Sequence, residues 1–478
     1  MTLDRDLAGL SATEIRRLLG DGDVSPVEVV EVCLNRIERY NGVVNAVVTL
    51  SDRALDDARA LAAKVARGDE AGLLYGLPAG IKDVTEVAGL RTTYGSLLYA
   101  DFVPEEDALV VERLRAAGAI ILGKTNTPEF AAGGNTFNEV FGRTRNPWDP
   151  TKSAGGSTGG GAAGLATGMI ALAQGTDLGG SLRIPASFCG VVGLRPSPGL
   201  VPTYPSDYLW DTLQVTGPMA RTAEDLALIL QAVSGPSARA PVGQTVSGRD
   251  FVAAVAAGVP RGTRLAYCPD IVRIGVDPEV ERVCRHAALE MRQIGCEVEI
   301  VEVDLSFGRE AFLALRGYWF AAQMHCRLDR FDDFGVNVAS NVRAGLTVDG
   351  RELGAAEHAR GRVWHFFQEF FRTFDHLLTP SMAVPPFPVE QNYPETVGGR
   401  SMETYVDWIA PTFVLSLAGL PVASVPCGLD PEGLPVGLQL VGKPFGEEAV
   451  LALAQQIQDV HPIGGPDLAA LEHWSEER

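Results

Sequence analysis

Residues fit for chemistry are concentrated between Lys152 and Pro198, in KSAGGSTGGGAAGLATGMIALAQGTDLGGSLRIPASFCGVVGLRPSP. Two serines sit in glycine turns here: Ser157 inside Gly155–Gly161 (GGSTGGG) and Ser181 directly after Gly179-Gly180. Glycine loses more backbone entropy on folding than any other residue, so a cluster implies that the backbone itself must come close to something. IPASFCG, just beyond Ser181, reads as a helix, and loop N–H groups at a helix N-terminus suit a developing negative charge. Other uses of the glycines fit less well. A phosphate loop needs Lys-Ser or Lys-Thr after the cluster, and neither follows. GGSTG has the form of a G-x-S-x-G nucleophile elbow, but the preceding NPWDPTKSA holds two prolines and does not read as a central strand. A flexible linker would not contain MIALAQG.

A serine that attacks a carbonyl must hand its proton to a base. None of the seven histidines stands in a recognisable triad context, which leaves a lysine. Free lysine has a pKa of about 10.4 and is charged near neutrality. Burial disfavours the charged form and lowers that value. Lys82 closes the apolar run Pro78-Ala-Gly-Ile81, which suits desolvation, whereas Asp83 would oppose it by facing inward. Lys124 and Lys152 are rival bases.

Taken together, these segments resemble the amidase-signature hydrolases. That family's pattern is GGSSGG, an Ala/Gly-rich helix, then G-[ST]-D-x-G-G-S-[IL]-R-x-P-A. This chain has GGSTGG at 155–160 and GTDLGGSLRIPA at 175–186, with the 24-residue interval from Ser157 to Ser181 that the family keeps. Pro78–Asp83 matches the family's P-x-x-[IV]-K-D, and Thr92–Ser96, Gly123–Asn126, Phe141–Pro147, Leu420–Ser424 and Pro435–Gln439 look like further landmarks. The resemblance implies Ser181 as nucleophile, Ser157 as proton relay behind a cis bond to Gly156, and Lys82 as base. It further implies an oxyanion hole from the backbone N–H groups of Leu178, Gly179, Gly180 and Ser181 itself, with Thr158, Asp177 and Arg183 in support. Thr158 stands where the family often has Ser, and its hydroxyl is expected to keep the same hydrogen bond.

The chemistry so implied is cleavage of a small-molecule amide through an acyl-enzyme, with neither metal nor cofactor; a homodimer is a further expectation. Glutaminase subunits of tRNA-dependent amidotransferases share the signature but tend to carry Gln where Ile184 stands. Ester, carbamate and hydrazide cleavage remain open on the same site. A silent binding protein is disfavoured by the joint retention of Lys82, Ser157 and Ser181.

The elements that must position these residues follow from patterning. Ser11-Ala-Thr-Glu14 and Ser25-Pro-Val-Glu28 are capping boxes, the second with Pro at the first helical position. A helix is predicted over Asp52–Ala66, a strand followed by a turn over Leu77–Val87, a strand at Ala119–Gly123, and a helix between them at Ala108–Ala117. The same β–α rhythm returns at 262–305 and at 421–458, which indicates an α/β sheet covered by helices. The resemblance narrows this to one domain spanning 1–478, an α/β/α sandwich around a large mixed sheet. Its signature core covers about 75–200. The aromatic, helical segment 308–376 reads as a lid or pocket wall, or equally as a face packed on the sheet. Loops at 127–145, 203–213 and 308–330 are expected to shape the pocket, with Gly133, Gly134, Trp210 and Tyr318 as candidate substrate contacts.

Bulk properties close off other classes. A net charge of −20 opposes nucleic acids and anionic membranes. Seven cysteines, an odd number without C-x-x-C spacing, fit free thiols in a reducing compartment. No apolar run reaches the length of a membrane span, and the charged N-terminus lacks a leader's apolar region. The chain reads as cytosolic.

Overall fold

Both capping boxes form. In the helix Ala12–Asp21 the Ser11 hydroxyl accepts the Glu14 N–H while the Glu14 carboxylate accepts that of Ser11, and Ser25 and Glu28 do the same for Pro26–Val44. These contacts satisfy donors that a helix start leaves unpaired. The computed structural model describes residues 7–476; Met1–Asp6, part of the segment that argues against a leader, lie outside the described residues.

Eleven strands make one sheet. In chain order they are β1 (Val47–Leu50), β2 (Pro78–Lys82), β3 (Ile120–Thr125), β4 (Leu172–Asp177), β5 (Val192–Arg195) and β6 (Val215–Ala220), followed by β7 (Arg264–Tyr267), β8 (Glu297–Ile300), β9 (His376–Pro380), β10 (Val422–Leu429) and β11 (Pro435–Val441). Their order across the sheet is β1-β3-β2-β4-β6-β5-β10-β11-β9-β7-β8. β2 runs parallel to both β3 and β4, and β9 and β8 run parallel to β7; the remaining pairs are antiparallel. The sheet is therefore mixed and helix-covered, as expected. One local expectation fails: β10 and β11 form an antiparallel hairpin, not another β–α–β unit. The turn Asp430–Gly433 explains it, since Gly433 N–H closes on Asp430 C=O and four residues suffice to reverse the chain.

β2 sits near the middle of its half of the sheet and is buried along its whole length, as a strand of parallel neighbours with covered faces must be. The register sets which lysine faces where. Lys82 pairs with Thr125, and Lys124 with Ile81. Side chains alternate along a strand, so the two lysines, although on adjacent strands, point to opposite faces.

The glycine cluster opens the helix Gly159–Ala166. A Cβ on Gly160 would lie 2.3 Å from the Asn126 N and 2.6 Å from the Ala46 C=O. What the backbone approaches at this position is other backbone of the same protein, pressed close enough to exclude any side chain. The segment 308–376 is helical (Arg309–Gln323, Val336–Thr347, Gly350–Phe370) and packs Phe312, Phe320, Val338 and Phe367 into an apolar core with Phe413 and Trp408. All seven cysteines are free thiols. Among the described residues no helix is long and apolar enough to cross a membrane.

Candidate active site

Three consecutive structural devices converge at the end of β2. The strand delivers Lys82, fully buried, and Lys82 Nζ donates to Ser157 Oγ at 2.6 Å and to Thr176 Oγ1 at 3.0 Å. Ser157 stands at the entry to the Gly159–Ala166 helix, and its bond to Gly156 is cis. Thr176 lies on β4, the strand parallel to β2. Ser181 occupies the turn between β4 and the helix Arg183–Cys189 and is partly exposed. The Thr158 N–H donates to the Ser181 C=O at 3.2 Å, tying the two serine segments together.

Burial drives the Lys82 ammonium down from 10.5 to about 7, against the opposing charge of Asp177. A lysine so placed is half neutral at neutral pH and able to accept a proton. Asp83, the sequence neighbour, is not the counter-charge. It turns to Lys124 (3.5 Å) and takes the Thr93 hydroxyl at 2.5 Å. Lys124 is itself held by the Thr85 C=O and Thr92 hydroxyl, and Lys152 faces Glu432 at the surface. Neither rival lysine reaches the serines.

Asp177 organises the turn that carries Ser181. It accepts the N–H groups of Gly180 (2.9 Å) and Leu182 (3.1 Å), and the Arg183 guanidinium grips it through Nε and Nη2, each at 3.0 Å. Burial alone would raise this carboxyl's pKa, but Arg183 and Arg195 bring it down to about 2. Arg183 then reaches Thr412 C=O, Gln439 Oε1 and Ser416 Oγ, so every arm of the guanidinium is used. Two expectations need correction here. The Gly180 N–H is already committed to Asp177, so it is not free to receive the charge expected of it. The Thr158 hydroxyl has no partner among the described residues, because its side chain is wedged against the backbone of β4 at Gly175; its support is steric. Replacing Asp177 by Asn is expected to cost about 3–5 kcal/mol of stability, since it strands two buried guanidiniums; a thermal or urea melt measures it.

A cavity of about 190 Å³ opens beside this centre, with Thr176 in its wall. Lys82, Ser157 and Ser181 lie outside its wall, so Thr176 is the residue through which cavity and lysine meet. The segments near 130 and 203–207 contribute, with the helical stretch 319–327, and so do Glu86 and Tyr94. Gly133, Gly134, Trp210 and Tyr318 do not. Trp210 is 71 % exposed on its loop and Tyr318 points outward, 40 % exposed, against Tyr208. On helix Arg309–Gln323 the adjacent Trp319 turns inward instead, 6 % exposed, with its indole N–H on Asp211. Gly133 and Gly134 back the Gly156 peptide, where a Cβ on Gly156 would meet the Gly133 C=O at 2.9 Å. Thr176 was legible, since it is the Thr of the quoted GTD, and Tyr94 sits inside the landmark Thr92–Ser96, though nothing there marks it as a cavity residue; Trp319 is one of three aromatic residues, with Trp210 and Tyr318, that the composition of these segments offers to the pocket, and Glu86 carries no motif.

A model of the amidase family matches residues 28–451. The chain belongs to the amidase family. An acylamidase from Rhodococcus erythropolis is 34 % identical over 469 residues, covering 96 % of this chain and 97 % of that protein. One of the subunits of the glutamyl-tRNA(Gln) amidotransferase from Symbiobacterium thermophilum is 36 % identical over 482 residues, with 94 % and 96 % covered. Among solved structures, a bacterial aryl acylamidase of the amidase-signature family superposes with a TM-score of 0.89 at 28 % identity, over 99 % of this chain and all of that one. The amidase relationship thus runs the length of the chain, and the eleven-stranded mixed sheet is that of amidase-signature enzymes.

Proposed function

We propose that this amidase hydrolyses the carbon–nitrogen bond of a small amide through an acyl-enzyme on Ser181. The observation that carries the reading is the buried Lys82–Ser157 contact of 2.6 Å, made by a lysine whose pKa burial brings to about 7. Ser181 Oγ attacks the carbonyl carbon and gives its proton to Ser157, whose own proton passes to Lys82. The N–H groups of Leu178, Gly179 and Ser181 receive the negative charge on the carbonyl oxygen. The proton returns along the same path to the leaving nitrogen, the C–N bond breaks, and water repeats the sequence to release the acid. Seven free thiols support a reducing, cytosolic setting.

The similarity to acylamidases favours a stand-alone enzyme; the similarity to the amidotransferase protein supports a second reading, a glutaminase that works beside a partner. Ile184 is buried and apolar at the position where such glutaminases tend to carry Gln, which weighs toward the first. Mass spectrometry of products from primary amides, anilides, hydrazides, peptide amides and free glutamine separates the two. Turnover of anilides or primary amides by the purified chain is the expected result; ammonia release from glutamine alone would replace it with the second reading.

A further inference from the structure

We infer that the cavity beside Thr176 takes an aromatic amide bearing a cationic or strongly hydrogen-bond-donating group, and that Glu86 is the residue that reads that group. The inference rests on the amidase reading of the neighbouring serines.

Shape comes first. Tyr94 and Phe130 stand in the wall as stacked rings, centroids 6.0 Å apart and planes 23° apart. Trp319 and Met324 add a flat and an adaptable apolar surface from the helical segment. The backbone is held unusually to achieve this. Among the described residues six non-glycine positions have positive φ, and three of them, Tyr94 (53°), Phe130 (44°) and Ala131 (60°), line this one cavity. Such conformations persist only where the surroundings over-determine them, and they cluster at ligand clamps. A planar ring is the ligand that the outer surface of such a fixed aromatic stack accommodates best.

Charge comes second. The formally charged side chains on the wall are Glu86, Asp207 and Arg327. Arg327 is paired with Asp207 at 2.7 Å and spends its Nε on the Tyr99 hydroxyl. Glu86 is left without an ion-pair partner among the described residues. One of its oxygens, Oε1, accepts the Tyr94 hydroxyl, and among the described residues no donor is bonded to Oε2. A carboxylate with an unspent oxygen, fixed through the ring that forms the wall, is built to accept from a ligand N–H or ammonium.

The test compares 4-(aminomethyl)acetanilide with its neutral isostere 4-ethylacetanilide, and 4-(aminomethyl)benzamide with 4-ethylbenzamide, so that the aryl group is presented on the amine or on the acyl side. In at least one series the cationic member should have kcat/KM about tenfold or more above its isostere. Glu86→Gln keeps an acceptor for the Tyr94 hydroxyl and should collapse that ratio to near one. Binding of the same pairs to Ser181→Ala by calorimetry reads the preference without turnover. A preference in binding with no turnover by the wild type would sustain the Glu86 assignment while removing the amidase reading beneath it. Equal kcat/KM and equal Kd within both pairs, or a preference that survives Glu86→Gln, would overturn the assignment.

Discussion

Ser181→Ala is expected to lower kcat on any amide the wild type cleaves by on the order of 10⁵-fold, with KM changed far less. Substitution removes the atom that forms the acyl bond and leaves the N–H groups of the turn and the cavity wall intact, so binding survives where chemistry does not. The Asp177–Arg183 brace, not the Ser181 side chain, holds the turn, and the variant's melting temperature should match the wild type's. Acid quenching during turnover of a slow substrate should trap wild-type protein heavier by the acyl mass; the variant should show no adduct. Equal turnover by the variant would end the mechanism.

Lys82→Met should cost on the order of 10⁴-fold in kcat, the loss associated with removing a general base. Its pH dependence is the sharper reading. Lys82 accepts a proton only when neutral, so wild-type kcat/KM should climb as pH rises through about 7 and then level. Stability carries the same group with a definite sign. Between the folded value of about 7 and the ordinary 10.5, the unfolded chain binds a proton that the folded chain lacks. Stability therefore rises with pH across that window, and below it the full cost of burying the ammonium applies. Lys124, lowered by its own burial to about 8, acts with the same sign above that value. Lys82→Met should flatten the slope of melting temperature against pH without abolishing it. A wild-type rate that is level from pH 5 to 9 would argue that Lys82 is not the base.

How far the sequence could be read depended on whether a residue acts through the chain near it or through space. Ser11, Ser25 and the β2 run Pro78–Lys82 act locally: capping placed the two serines, and the apolar run placed the start of β2 to within a residue. Lys82 and Ser157 are 75 positions apart, and only the joint pattern of motifs united them. Lys124 shows why burial alone would mislead: it is as buried as Lys82 and shifted the same way, yet a one-residue difference in register turns it to the opposite face with Asp83. Trp319 and Tyr318 differ by one helical step, about 100° of rotation, and no periodicity in an aromatic-rich helix decides which of the two looks inward. The Gly180 N–H was misassigned for a related reason. A glycine pattern announces a tight turn but not which N–H the turn has already given to its own aspartate.

Arg183 has a consequence for the life of the molecule before it is finished. Its guanidinium joins Asp177, six residues back, to Gln439, 256 residues ahead. At ordinary rates of synthesis those positions leave the ribosome on the order of tens of seconds apart. During that interval the Ser181 turn has its aspartate but not the carboxamide, hydroxyl and carbonyl that occupy the far side of the arginine. The brace around Ser181 is thus complete only when β11 is laid beside β10.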